Sequence, residues 1–182
     1  MFNIYIDADS LPRAHRAIIL KRVVKESEYI GECVFASDRM LTDVKEAIEN
    51  HTAALRLPYR DKLDKSELRK IKSNIHMAVV PVGANSADDY LVDNANAPGF
   101  AISHDVPLSD RLVEKGIVVL DDRGNTYTSI NIKERLSDRN FMTALREMGF
   151  ESEKNKCFDQ RTVNAFAASL DTIITKYKKE YC

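Results

Sequence analysis

The sequence predicts an α/β protein in which helices cover a central, mostly parallel sheet. Short apolar runs alternate along the chain with amphipathic stretches, which is the pattern of strand–helix–strand units. Three of the predicted strands lead into aspartate, directly or through a short turn, at the edge where a parallel sheet presents its ligands. The length of 182 residues suits one well-packed domain, so we predict a single domain over residues 1–182.

Six apolar runs define the predicted strands. They are Asn3–Asp7, Tyr29–Ala36, Ala53–Leu57, Met77–Val82, Phe100–Ser103 and Ile117–Leu120. Each is short and stands between longer amphipathic stretches, as expected for strands that helices bury.

The amphipathic stretches predict helices. Five of them alternate with the strands: Pro12–Glu26, Leu41–Asn50, Ser66–Lys72, Ala87–Ala95 and Pro107–Lys115. Pro12 suits the first turn of its helix, where the N–H that proline lacks would be unpaired anyway. Gly116 is expected to stop the fifth helix before the run "IVVL". Two further helices are predicted at 130–149 and 158–181, packed on the sheet and joined by a polar loop at 150–157.

Composition and charge exclude several classes of protein. The 27 basic and 28 acidic residues give a net charge of −1, so contact with nucleic acid would need a local basic patch or metal ions. No apolar run approaches the roughly 18 residues that span a bilayer, and the N-terminus lacks a signal-peptide layout. Cys33, Cys157 and Cys182 show no CxxC spacing and predict reduced thiols. We therefore expect a cytoplasmic protein with no membrane partner.

The most polar internal stretch is "YRDKLDKSELRKIKSN", residues 59–74. Its dense mixed charge predicts an exposed helix or flap. The alternative is a mobile element that contacts a polyanion through its basic residues. These are Arg60, Lys62, Lys65, Arg69, Lys70 and Lys72.

The stretch "IYIDADSLP", residues 4–12, ends its strand in two aspartates. If the chain stays extended, Asp7 and Asp9 point to the same side, because side chains alternate along a strand. Like charges this close repel each other, and a divalent cation would relieve the repulsion. The alternative for Asp9 is that it caps the following helix.

Two later strands lead into acidic residues in the same way. In "HMAVVPVGANSADDYLV", Asp88 and Asp89 fall in the first turn of a helix, after a turn that contains glycine and asparagine. Acidic residues there also complement the helix dipole. In "GFAISHDVPLSDRL", Asp105 lies just beyond a strand, and the next helix carries Asp110. The three strand ends together predict one acidic pocket.

Carboxylate ligands without nitrogen or sulfur favour hard cations, so the expected cofactor is Mg²⁺ or Mn²⁺. Several carboxylates could hold two such ions about 4 Å apart, the arrangement that clamps a phosphodiester during in-line hydrolysis. His104, beside Asp105, is the one histidine near the predicted pocket, and a surface position is favoured for it.

In order along the chain, these landmarks resemble the YaiI/YqxD family of bacterial proteins, which is assigned to the PIN-like nuclease superfamily. The matching stretches are "IYIDADSLP", "GANSADDYLV", "ISHDVPLSDRLVEKGIVVLDDRGNTYT", "INIKERLSDRNFMTALREMG" and "FDQRTVNAFAASLD". The resemblance implies a three-layer α/β/α fold with a central, mostly parallel sheet. It also implies a ribonuclease that depends on Mg²⁺ or Mn²⁺ and acts on RNA, with single-stranded RNA favoured.

The resemblance also implies site residues. The predicted catalytic and metal-binding residues are Asp7, Asp9, Asp88 and Asp105. Asp89 and Asp110 are weaker metal candidates, because relatives often differ at these positions. The recurrent basic positions match Arg123, Arg139 and Arg161, for which contact with phosphate and surface or inter-helix pairing are equal alternatives.

Two departures from the family pattern stand out. The usual "DADACP" is "DADSLP" here, and the segment 38–76 is longer than usual, so the rim of the pocket is expected to differ. Two rival functions stay open beside the nuclease. One is a non-catalytic RNA-binding or regulatory protein. The other is a haloacid dehalogenase-type phosphatase, which would use the aspartates of "IYIDADSL" and Asp121. The sequence also leaves open whether the chain forms a homodimer.

Overall fold

The computed structural model describes residues 1–81, 83, 86–149 and 159–182, and these contain one sheet of six strands. The strands are β1 (Phe2–Asp7), β2 (Ile30–Ser37), β3 (Ile75–Val79), β4 (Gly99–Ile102), β5 (Val118–Leu120) and β6 (Thr126–Tyr127). Their spatial order is β3-β2-β1-β4-β5-β6. All neighbouring pairs are parallel except β5 and β6, which form an antiparallel edge.

Seven α-helices connect or follow the strands in the described residues. They are α1 (Arg13–Lys25), α2 (Thr42–Arg56), α3 (Lys65–Lys70), α4 (Ser86–Asn94), α5 (Val106–Glu114), α6 (Ile132–Glu147) and α7 (Gln160–Tyr181). A short 3₁₀ turn, Leu57–Tyr59, extends α2.

Helices cover both faces of the sheet, because side chains alternate along each buried strand. Phe2 and Ile6 of β1 belong to one buried cluster, together with Phe166 of α7. Tyr5 lies between them in sequence and belongs to a second buried cluster, with Leu91 of α4. The fold is therefore the three-layer α/β/α arrangement that the sequence predicts.

The strand order places a topological switch point between β1 and β4. The chain first builds outward from β1 through β2 to β3, then returns across the sheet to β4 and continues to β6. Connections therefore leave the carboxyl ends of β1 and β4 in opposite directions, and the crevice between them is the usual ligand position in open α/β sheets. Asp7 is the last residue of β1, and Ser103 follows β4 directly.

Most predicted elements are confirmed to within a few residues, but the strand predicted at Ala53–Leu57 is wrong. These residues form the end of α2 and the start of the 3₁₀ turn. The helix continues because no glycine or proline interrupts it before Pro58, and Ala53 and Ala54 lie exposed on its outer face. The missed strand is β6, which has only two residues and pairs antiparallel to β5.

The remaining predictions for the C-terminal third are largely confirmed. Helices α6 and α7 match the two predicted amphipathic stretches, and Gly116 follows α5 with a φ of +82°, as expected for a helix stop. The predicted loop at 150–157 and Val82, the predicted end of the fourth strand, lie outside the described residues. Within those residues, none of the helices combines the length and apolar character that crossing a membrane requires.

Candidate functional site

Asp7 lies at the centre of the site, at the carboxyl end of β1, and only 5% of it is exposed. The Ser103 hydroxyl, just after β4, donates a 2.7 Å hydrogen bond to Asp7 Oδ2. The Ser10 N–H donates a longer one, of 3.4 Å, to Oδ1. Burial raises the pKa of Asp7 above its ordinary value, the two serines oppose that rise, and the charge of Asp105 adds to it.

Asp105 begins α5 and is held there by its own side chain. Its Oδ1 accepts a 2.8 Å hydrogen bond from the Leu108 N–H, which is the contact of an aspartate at a helix N-cap. Its backbone N–H donates to Ser103 Oγ over 2.9 Å. Ser103 therefore connects the backbone of Asp105 to the carboxylate of Asp7, and the end of β4 fixes both aspartates.

Asp88 lies in the first turn of α4 and is partly buried. Its pKa is raised to about 6, first by burial and then by the negative charges of Asp7 and Asp105, while Arg111 opposes the shift. The three carboxylates that the sequence places at three strand ends therefore share one electrostatic environment. The turn before Asp88 lies largely outside the described residues.

Asp9 does not share the surroundings of Asp7. Its Oδ1 accepts a 2.7 Å hydrogen bond from Ser37 Oγ, and its Oδ2 accepts one of 2.8 Å from the Asp38 N–H. Asp9 is therefore bound to the end of β2, whereas Asp7 is bound to the residue after β4. The two side chains diverge because β1 ends at Asp7, so the alternation of an extended strand does not reach Asp9. A metal-binding role for Asp9 stays a prediction.

The two weaker acidic candidates are both engaged in ion pairs. Asp89 lies 2.7 Å from Arg111, and Asp110 lies 2.9 Å from Lys133. Lys133 also contacts Glu114, so Asp110 belongs to a link between α5 and α6. Both residues therefore have a cationic partner of their own, although the charge of Asp89 also contributes to the raised pKa of Asp88.

The site carries oxygen donors suited to a hard cation. Across residues 1–81, 83, 86–149 and 159–182, no group of three or more His, Cys, Asp or Glu side chains is already placed to hold a metal ion. Mg²⁺ does not require such a group, because it keeps several waters and is usually bound through one or two carboxylates. Burial and the neighbouring charges of Asp7 and Asp105 both disfavour the ionised form of Asp88, and a divalent cation would offset both effects, so the donor set fits such an ion.

A cleft of about 470 Å³ opens beside Asp105 and His104. Its lining includes four arginines, and we call it the arginine-lined cleft. They are Arg123, Arg135, Arg139 and Arg146. The sequence predicted phosphate contacts for Arg123 and Arg139, which lie in this cleft. It also named Arg161, which lies in the first turn of α7 and does not line the cleft.

Sequence reasoning missed Arg135 and Arg146. Together with Arg139 and Met142 they fall at intervals of three or four residues along α6, so they share one side of the helix. This spacing is visible in the sequence and was the available signal. The side of α6 that carries these residues is the side that lines the cleft.

Arg123 projects from the turn between β5 and β6, and Asp121 organises that turn. Asp121 Oδ1 accepts hydrogen bonds from the N–H groups of Arg123 and Asn125, and its Oδ2 accepts from Asn125 Nδ2 and the Tyr127 hydroxyl. Gly124 has a φ of +89°, and a Cβ there would lie 2.9 Å from the Ala165 carbonyl oxygen of α7. Both carboxylate oxygens of Asp121 therefore accept hydrogen bonds from the turn and from Tyr127. This structural role disfavours the phosphatase interpretation, in which Asp121 would take part in catalysis.

Sequence reasoning also missed Asp122, a buried residue that contacts two histidines. His104 Nδ1 lies 2.8 Å from Oδ1 of the buried Asp122, and His15 Nε2 lies 2.9 Å from the Asp122 backbone oxygen. The hydrogen bond with Asp122 raises the pKa of His104, whose side chain is 54% exposed. His104 is therefore at the surface, as predicted, but its Nδ1 is held by a buried carboxylate.

Comparisons with known proteins agree with the motifs. The family model described as "Uncharacterized BCR, YaiI/YqxD family" matches residues 41–176. A UPF0178 protein of Pseudomonas entomophila is 34% identical over 177 residues, which cover 97% of this chain and 99% of that relative. A UPF0178 protein of Pseudomonas putida GB-1 matches with the same identity and coverage. One from Pseudomonas fluorescens Pf0-1 is 43% identical over 106 residues, 58% of this chain and 70% of the relative.

Proposed function

This chain belongs to the YaiI/YqxD family, and we propose that it is a Mg²⁺- or Mn²⁺-dependent ribonuclease whose site is built from Asp7, Asp88 and Asp105. The observation that carries the proposal is electrostatic. Burial raises the pKa of Asp88, and the charges of Asp7 and Asp105 raise it further, while Ser103 connects Asp7 to Asp105 directly. Carboxylates with raised pKa values at a switch point of the sheet are typical of functional sites.

The proposed cation would be held by these carboxylates. When bound, it would polarise a phosphoryl oxygen and lower the pKa of a water molecule, the chemistry by which divalent ions support phosphodiester hydrolysis. Asp9 is retained as a supporting residue that acts directly or through water.

The protein's own groups prepare the site. Ser103 orients the Asp7 carboxylate through its 2.7 Å hydrogen bond, and the N-cap bond to Leu108 fixes Asp105. These contacts hold two of the three carboxylates in place before any ligand arrives, so little reorganisation is needed on binding. The arginine-lined cleft begins at Asp105 and supplies positive charge next to the acidic group.

A second candidate function is RNA binding without turnover. It is favoured by the combination of an arginine-lined cleft with the lack, among the described residues, of three side chains already placed around a metal position. A pure binder would hold RNA equally well when a chelator is present and would cleave nothing when manganese is added.

The test is cleavage of labelled single-stranded RNA by the purified chain with Mn²⁺, with and without EDTA. We expect cleavage that EDTA abolishes and that Asp7→Asn and Asp88→Asn each reduce by at least about 100-fold. The matched control is Asp93→Asn, because Asp93 is exposed near the end of α4 and lies outside the acidic group. An Asp7→Asn variant that is as active as the parent, and equally well folded, overturns the proposal.

A further inference from the structure

Arg135 and Arg139 lie on the side of α6 that lines the cleft, and Arg123 faces them from the turn between β5 and β6. Arg135 and Arg139 make no ion pair with any carboxylate in the described part of the chain, and the same is true of Arg123. Arginines elsewhere in the described part of the chain include several that are paired with acids, as in Arg16 with Asp43 at 2.9 Å and Arg111 with Asp89 at 2.7 Å. Positive charge left without an acidic partner in a concave site is available for an anionic ligand.

Two of these arginines are positioned by the fold. Arg135 Nε donates to the Tyr127 hydroxyl over 3.3 Å, and that hydroxyl donates in turn to Asp121. Arg123 receives its position from the same carboxylate, because its backbone N–H donates to Asp121 Oδ1 over 2.9 Å. One buried aspartate therefore organises two arginines from different elements around one cleft.

The dimensions of the cleft favour a single strand. Arg135 and Arg146 are 11 residues apart on one helix, a distance of about 16 Å at 1.5 Å per residue. That length runs beside about five nucleotides of one strand, at a rise of about 3.4 Å for stacked nucleotides. The cleft volume of about 470 Å³ is that of a pocket for a small-molecule-sized group, so a duplex would have to remain at its rim.

The lining also mixes charge with apolar surface. Met142 lies between Arg139 and Arg146 on the lining side of α6, and it is 39% exposed. Grooves for single-stranded nucleic acid combine basic residues that follow the phosphates with side chains, usually aromatic, on which bases stack, and Met142 supplies an apolar surface here. Asp138 is the one carboxylate that α6 adds to this lining, against three arginines.

From these observations we infer that the cleft side of α6, together with Arg123, binds the phosphodiester backbone of a single RNA strand and guides it towards Asp105. The inference rests on the proposed function for the identity of the polyanion. It assigns strand binding to Arg123, Arg135 and Arg139, and it places Arg161 and the charged segment 59–74 outside the binding surface.

Binding is measured separately from cleavage. Fluorescence anisotropy with a labelled 12-nucleotide single-stranded RNA in EDTA, over a series of salt concentrations, compares the parent with Arg135→Gln/Arg139→Gln. Both arginines are exposed on a helix, and glutamine keeps helix propensity, so the variant is expected to fold. We expect at least a tenfold loss of affinity and a fall of about 1.4 in the slope of log K against log salt, since each phosphate contact to a single strand contributes about 0.7.

The matched control is Arg69→Gln/Lys70→Gln, which removes two positive charges from the exposed last turn of α3. We expect this control, and Arg161→Gln, to bind RNA within about twofold of the parent. The inference is overturned if the α6 variant binds as tightly as the parent, if the α3 control loses as much affinity, or if a duplex of the same length binds as tightly as the single strand.

The two proposals can fail independently. If RNA binds through α6 in EDTA but is not cleaved with Mn²⁺, the nuclease proposal is wrong and the inferred binding surface is supported. If RNA is cleaved in an Asp7-dependent manner and the α6 variant binds RNA as tightly as the parent, the inferred binding surface is wrong and the nuclease proposal is supported.

Discussion

The hydroxyl of Ser103 donates a 2.7 Å hydrogen bond to Oδ2 of Asp7, although the two residues are 96 positions apart in sequence. The contact joins the carboxyl ends of β1 and β4 at the switch point of the sheet. Ser103 is 1% exposed and also accepts from the Asp105 N–H. The hydroxyl therefore donates a hydrogen bond to a buried carboxylate and accepts one from a partly buried backbone N–H at the same time.

Replacing Ser103 by alanine is expected to lower the free energy of unfolding by about 1–3 kcal/mol, because the Asp7 carboxylate and the Asp105 N–H would both lose a buried partner. The pKa of Asp7 should rise further, since this hydrogen bond is the main influence that lowers it. Urea unfolding at pH 7 measures the first effect.

Ser109→Ala is the control for Ser103→Ala. Ser109 is equally buried, but its hydroxyl donates to the Asp105 carbonyl oxygen within the same helix, so its removal leaves no carboxylate without a partner. We expect a cost below about 1 kcal/mol for this variant. Equal costs for the two substitutions would contradict the role assigned to Ser103.

The substitution Asp121→Asn tests whether Asp121 has a structural or a catalytic role. The amide can accept hydrogen bonds on one side only, so part of the set from Asn125 and Tyr127 is lost and the turn that carries Arg123 loosens. We expect a loss of about 1–3 kcal/mol in the free energy of unfolding, measured by urea denaturation. A haloacid dehalogenase-type phosphatase predicts instead a stable variant without phosphatase activity.

His104 is expected to titrate above its ordinary value of 6.5 because of Asp122. The pair therefore adds stability that is fully present below pH 6.5 and is lost as the pH rises through the raised pKa. An NMR titration of the imidazole Cε1 proton measures that pKa. In Asp122→Asn it should fall, since burial and the charge of Arg123 then act without the opposing carboxylate.

A matched substitution for this titration is Asp138→Asn, which removes a carboxylate from elsewhere in the same cleft. We expect it to leave the His104 pKa within about 0.3 units of the parent value, because an exposed charge without a direct hydrogen bond is screened by solvent. A larger shift with Asp138→Asn than with Asp122→Asn would show that the cleft as a whole, rather than Asp122, sets the protonation of His104.

The proximity of Asp7 and Asp105 could be predicted from the sequence because β1 and β4 are parallel neighbours whose carboxyl ends meet at one edge. Asp88 follows β3, which lies two strands away from β1, so its position also depends on where α4 begins. Each aspartate follows an apolar run, and the carboxyl ends of parallel strands lie at one edge. The position of Asp9 could not be predicted, because it depends on whether β1 ends at residue 7 or at residue 9. Boundaries of elements are the least reliable part of a sequence pattern.

The errors elsewhere have similar causes. Ala53–Leu57 is apolar enough for a strand, but it continues the helix that Thr42 begins, and only the length of the whole segment shows this. Strand β6 has two residues and no periodicity to detect. Ser103 and Asp122 are ordinary residues in the sequence, and their importance comes from partners far along the chain.

Asp88→Asn is expected to make the protein more stable at pH 8 and to leave its stability unchanged near pH 4. The folded carboxyl titrates near pH 6 and the unfolded one near 3.8, so folding is disfavoured progressively between these values and by a constant amount above them. The shift corresponds to about 3 kcal/mol at most, and partial exposure together with the lost helix-dipole interaction reduces the expected gain to about 1 kcal/mol.

Urea unfolding at pH 4 and pH 8 measures this difference, with Asp93→Asn as a control whose effect should not depend on pH. Mn²⁺ should reverse the order at pH 8, because an ion bound by the folded parent stabilises it by about 1.4 kcal/mol for every tenfold excess over its dissociation constant. The Asp88→Asn variant lacks one proposed metal ligand, so Mn²⁺ should stabilise it less than it stabilises the parent. If Asp88→Asn is less stable than the parent at pH 8 without metal, the ionised Asp88 carboxylate does not destabilise the fold, and the electrostatic argument for a cation at this site fails.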